Sequence, residues 1–206
     1  MTQSKPKKPG RKPISAKQSV EMRSAILAAA EQLFIEKGYQ GVSMRALAGE
    51  LEMSPMSLYR YFDNKRSILI HLWANIFSTL FEKCRKTAGT QSNPREAIAA
   101  YGASFIQYWI DNRQNYLMVY GEIDRPETSE SFFADSELVQ NELEYLAGLF
   151  VQAGVAEESY ELACQQYLCA LHGICHSIIT IPEMNWASPA ELLSGLLRGI
   201  LAQQTV

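Results

Sequence analysis

Aliphatic residues recur every four positions at Ile68, Leu72, Ile76 and Leu80, and a second row, Leu69, Trp73, Phe77 and Phe81, runs beside the first. Residues four apart share one face of an α-helix, whereas a strand sends neighbours to opposite faces. A two-row apolar stripe of this length suits only a helix packed along its whole length. The same spacing returns through most of the chain after Ser19, and strand-like alternation is nearly absent. The expected fold is all-α, with about nine helices arranged as an N-terminal helix-turn-helix domain followed by a C-terminal helical bundle.

Capping residues set the expected boundaries. The first helix is expected over 19–37, with Ile26, Leu27, Ala30, Leu33 and Phe34 on one face and a left-handed cap at Gly38. Ser43 and Ser54 cap two short helices, the second with Pro55 at its first position, where a missing N–H costs nothing. Asn64 or Asp63 opens a long fourth helix to about Lys86, and Asn93-Pro94 opens the fifth. A short sixth is expected over 114–120, then an acidic loop over 121–131. The last three are expected over 132–153, over 157–181 up to Pro182, and from Ser188-Pro189 to about Gln203.

Charge is unevenly shared. Residues 1–66 hold 12 Lys and Arg against 6 Asp and Glu, while residues 67–206 hold 7 against 16. A basic first third on an acidic remainder suits a segment that meets a polyanion, attached to a body that does not. No run of 18 apolar residues suggests a membrane helix, and no apolar stretch follows the lysine-rich start as a secretory signal requires. Cys84, Cys164, Cys169 and Cys175 form no CxxC pattern and read as reduced thiols of a cytoplasmic protein. The expected organisation is a disordered basic arm over 1–18, a small basic domain over 19–66 and an acidic body over 67–206.

The segment 43–62, SMRALAGELEMSPMSLYRYF, joins two short helices by a brief turn, which is helix-turn-helix spacing. Leu47, Ala48, Leu51, Met53, Leu58 and Phe62 supply its apolar side, and Ala48 is small where the helices must cross. The second helix, 55–61, leaves its first residues free to meet base edges.

Residues 22–72 resemble the DNA-binding domain of the tetracycline-repressor (TetR) family. The resemblance rests on features in order: AAAEQLFIEKGY, Val42-Ser43, Leu47-Ala48, S-x-x-x-L-Y-x-Y-F from Ser54 to Phe62, and Asn64-Lys65. It departs at Glu52, where many relatives carry glycine, and at Pro55-Met56, where Lys-Gly is common. The resemblance implies that Arg45 grips a base or a phosphate, since a guanidinium can do either with two bonds. It places Pro55, Met56 and Ser57 in the groove, Tyr59, Tyr61 and Lys65 on phosphates, and Arg60 on base or backbone. Ser43 joins this set at the start of the first motif helix. The tail from Lys5 to Pro13 loosely resembles an AT-hook, with Lys8, Arg11 and Lys12 as minor-groove candidates.

The body carries no GxSxG, P-loop, HExxH or paired-carboxylate signature, so neither an enzyme nor a cofactor is expected. Aromatic residues are dense on the fourth to seventh helices. They fill a core or line an apolar cavity, and the family implies an effector pocket, for which Phe105, Trp109, Tyr116, Phe133 and His172 are the candidates. His172 and His176 lie four apart near Cys169 and Cys175, but no carboxylate is close in sequence and no metal is expected. Small residues Ala170, Gly173, Gly195 and Gly199, with Leu192 and Leu196, suit helix pairing, and the family implies a homodimer.

The expected function is a ligand-responsive repressor. It would bind palindromic double-stranded operator DNA as a homodimer and be released by a small lipophilic effector, with no membrane involved. A non-specific architectural DNA binder, an activator of the same fold and an enzyme with an incidental basic head are the alternatives.

Overall fold

The computed structural model describes residues 15–121, 132–156 and 159–202, and every element within them is helical or a turn. The elements are α1 (Ala16–Gly41), α2 (Met44–Glu50), α3 (Pro55–Leu58), α4 (Lys65–Ala88), α5 (Pro94–Asp111), α6 (Arg113–Tyr120), α7 (Phe132–Asp135), α8 (Glu137–Gln152), α9 (Tyr160–Thr180) and α10 (Pro189–Ala202). The all-α architecture with its N-terminal helix-turn-helix is as expected. Lys8, Arg11, Lys12 and the rest of the basic arm lie outside the described residues, as does most of the acidic loop.

Local chemistry explains the boundaries. Ser15 starts α1 through a capping box with Gln18, four residues before the expected start. Gly38 does interrupt α1, but at φ 68° and ψ 165° it kinks the chain and one more turn follows to Gly41. Ser43, Ser54, Asn64 and Asn93 each accept a backbone N–H within the first turn they cap. The helix expected over 132–153 is divided at Ser136, whose extended backbone separates the single turn α7 from α8.

The core is continuous from Ile26 on α1 to Leu201 on α10. α4 and α5 pack side by side, α5 also packs against α8, α9 and α10, and α1 touches both α4 and α6. At Gly102 on α5, a Cβ would collide with the Tyr167 hydroxyl and with Leu193, so the bare backbone is what lets α5, α9 and α10 meet. The Tyr167 hydroxyl donates to the Ile98 carbonyl at 2.6 Å across the same crossing.

Candidate nucleic-acid interface and the cavity behind it

The turn between α2 and α3 is built from backbone geometry. Met53 N–H donates to the Ala48 carbonyl at 2.9 Å, and Glu52 N–H to Gly49 at 3.1 Å. Glu52 sits at φ 50°, the left-handed region that favours glycine. Leu47 and Ala48 from α2, with Leu58 from α3, are buried against one another's helices and α1. The Ser54 side chain accepts from Ser57 N–H at 3.1 Å and lies 2.9 Å from the Ser57 hydroxyl.

This frame turns a set of side chains outward. Met56 is 76% exposed and Tyr59 48% exposed, and Ser43, Arg45, Pro55 and Arg60 are exposed as well. Ser57 and Tyr61 are half-buried, and Tyr61 packs against the core with one side. Lys65 is placed differently. Its ammonium donates to the Tyr39 carbonyl at 2.6 Å and lies 4.0 Å from the centre of the Tyr39 ring. Burial lowers its pKa. It ties α1 to the first turn of α4, and an ammonium with three donors keeps others to offer. Arg23, which sequence reasoning missed, stacks over Phe62 at 5.0 Å and adds a cation beside the motif. No periodicity marks an arginine on a helix's exposed face as a neighbour of Phe62.

Behind this head lies a cavity of about 310 Å³ among α4 to α9. Its walls are Phe77 and Phe81, Phe105, Tyr120, Phe133, Val139, Leu143 and Leu168, with two polar side chains, Glu142 and His172. Phe105, Phe133 and His172 of the expected set line it. Trp109 and Tyr116 form a second layer. Trp109 is fully buried, edge-on to Phe77, Phe105, Tyr116 and Tyr120, and its indole N–H has no acceptor in the structure.

Glu142 is the residue that sequence reasoning did not find. It is only 3% exposed, although it lies in the glutamate-rich run ELVQNELEY, which reads as a solvent face. Arg85 Nε donates to its Oε2 at 2.6 Å and Tyr101 OH to its Oε1 at 2.7 Å. Arg85 also donates to the Asn141 carbonyl and lies 4.7 Å from the Tyr145 ring centre. Burial raises the carboxyl's pKa, while Tyr101 and Arg85 oppose the rise. Contact with a permanently charged guanidinium at this distance is the geometry of an ionised carboxylate.

His172 meets Phe105 at 5.3 Å and Tyr120 at 4.9 Å, both edge-on. Burial pushes its pKa down to about 4, so it is neutral at pH 7. His176 is exposed, and no group of three or more potential metal ligands exists among the described residues. α6 connects the cavity to the head. Tyr120 lines the cavity, and Leu117 and Met118 on the same helix face Phe34 and Tyr39 of α1 across a smaller cleft.

The last helix has two sides. Leu193, Leu197, Ile200 and Leu201 are buried within the chain. Gly173, Gly195 and Gly199 are exposed, Ala170, Leu192 and Leu196 half-buried, and a Cβ built at Gly173 or Gly199 meets nothing. Among the described residues no helix is long and apolar enough to cross a membrane.

Comparison with known proteins agrees with this division. The profile of the bacterial regulatory proteins of the tetR family matches residues 26–72, the span of α1 to the first turns of α4. The transcriptional activator FasR of Mycolicibacterium smegmatis is 23% identical over 100 residues, 48% of this chain and 46% of FasR, so the match spans less than half of that protein. The transcriptional repressor KstR2 of Rhodococcus jostii is 27% identical over 139 residues, 67% of each chain. The crystal structure of the regulator FadR of Bacillus subtilis, in complex with stearoyl-CoA, superposes with a TM-score of 0.68 at 17% identity, covering 88% of this chain and 98% of that one.

Proposed function

For a chain that belongs to the tetR family of bacterial regulatory proteins, and is thus a DNA-binding transcriptional regulator rather than an enzyme, we propose a ligand-responsive repressor. It acts as a homodimer on a near-palindromic operator. The observation that carries this reading is the face of α3: a helix capped by Ser54, backed by buried Leu58, with Pro55, Met56, Tyr59 and Arg60 turned outward. Met56 and Pro55 suit thymine methyls, Arg45 and Arg60 suit guanine or phosphate, and Ser43, Ser57, Tyr59 and Tyr61 suit phosphates. Lys65 positions α4 and reaches a phosphate with a spare N–H. The arm residues Lys8, Arg11 and Lys12 add minor-groove contacts that steepen the salt dependence.

Pairing through Gly173, Gly195 and Gly199, with Ala170, Leu192 and Leu196, sets two recognition helices about 34–36 Å apart, one turn of duplex. These positions form an open face in the single chain, which supports their role. A small lipophilic effector in the aromatic cavity shifts α4 and α6 and spoils that spacing. It does so only to the extent that it prefers one state over the other. The stearoyl-CoA held by FadR is a precedent for an apolar effector in this fold. Because FasR is an activator, activation is the second reading, and promoter position decides between them.

A mobility-shift titration tests the DNA reading. The chain's own upstream duplex should bind about 10³-fold more tightly than random duplex. Arg45→Ala should cost about 1–3 kcal/mol of that affinity while the dimer mass is kept. A ratio near one points to a non-specific binder and overturns the proposal, and a solution mass of one copy overturns the pairing.

A further inference from the structure

A second hollow of about 270 Å³ lies along the seam of α8 and α9, and it shares Leu143 and Leu168 with the aromatic cavity. Only these two side chains stand on both walls, so they divide an outer vestibule from the inner chamber. The vestibule also carries Glu144 and Glu161, both exposed, and the chamber carries Glu142. Among the described residues, neither wall includes a lysine or an arginine. Arg85, the cation that reaches Glu142, is already occupied by that carboxylate and by the Asn141 carbonyl.

We propose that the chamber takes a lipophilic organic cation, a protonated or quaternary amine on an apolar frame, which enters between Leu143 and Leu168. The inference rests on reading the cavity as the effector site. Acidic walls without a free cation attract positive charge and repel an anionic amphiphile. Inside, the π faces of Phe77, Phe81, Phe105, Tyr120 and Phe133 stabilise a desolvated ammonium, and Glu142 supplies the counter-charge. His172, neutral at pH 7, adds no repulsion. The same contact links occupancy to the head. A cation beside Glu142 competes with Arg85, and Arg85 lies near the end of α4 remote from α3. Loosening that ion pair frees α4 from α8.

The test uses the full chain and three probes on one two-ring frame: (2-naphthylmethyl)trimethylammonium, 2-naphthylacetate and neutral 2-ethylnaphthalene. Calorimetric titration should find the cation bound at least about tenfold more tightly than the anion. Glu142→Gln should cost the cation a similar factor and leave the neutral probe unchanged. Should that variant fail to fold, the exposed pair Glu144→Gln and Glu161→Gln should lower cation affinity about threefold at low salt and have little effect at 1 M salt. Equal or tighter binding of the anion, or binding of the neutral probe alone, overturns the cation assignment and leaves the cavity as an effector site. Binding of none of the three overturns the cavity's role as well.

Discussion

The head and the cavity are held by different forces. In the head, α3 spans four residues and is fixed by Ser54 and Pro55 at its start and Leu58 beneath it. In the cavity, helices of 16 to 24 residues, α4, α5, α8 and α9, meet through rings and one buried ion pair, with few hydrogen bonds between them. Backbone hydrogen bonds tolerate little displacement, whereas packed rings can repack between discrete arrangements. The head therefore suits presentation of a fixed surface, and the cavity suits a change of state. One chain keeps both because α4 begins beside the first and lines the second.

The contrast breaks most clearly at Arg85. Arg85→Ala leaves Glu142 buried without its cation, which costs about 3 kcal/mol, while Arg85→Met with Glu142→Leu recovers much of the loss. Urea unfolding should report both changes, and operator affinity per folded dimer should stay constant. If the single variant were as stable as the parent, the ion pair would not hold α4 to α8.

A smaller effect follows from His172. The unfolded chain takes up a proton near pH 6.5 and the folded chain only near pH 4, so stability falls as pH is lowered across that window. The loss approaches about 3 kcal/mol at the lower end. Since carboxylates also titrate there, the measurement is the difference from His172→Phe, whose profile should lack this component. Identical profiles for the two proteins would place His172 in water.

The smallest effect sharpens the head. Glu52 occupies a left-handed conformation, so Glu52→Gly should raise thermal stability by up to about 1 kcal/mol without changing operator affinity. A loss of stability would mean that the Glu52 side chain holds the turn.

These differences also explain what could be read in advance. The head was legible because its information is local: Ser43, Ser54, Pro55 and Asn64 mark caps that act within three or four residues. The long stripe from Ile68 to Phe81 placed α4 for the same reason. In the cavity, Phe105, Phe133 and His172 were found through their residue type. Trp109 and Tyr116 were assigned to the wall but stand behind it, because a ring's layer depends on helix crossings that spacing does not encode. Glu142 was invisible, since its partners Tyr101 and Arg85 lie 41 and 57 residues away in sequence. The dividing turn at Ser136 was missed because apolar residues continue across it.

Arg85 stands about as far from the reading head as α4 allows. A helix of 24 residues is about 36 Å long at 1.5 Å per residue. Pivoting by about five degrees near Arg85 carries the Lys65 end about 3 Å sideways, close to the rise of one base step. A slender rod thus turns a rearrangement too slight to disturb the hydrophobic interior into a misfit that duplex DNA can register.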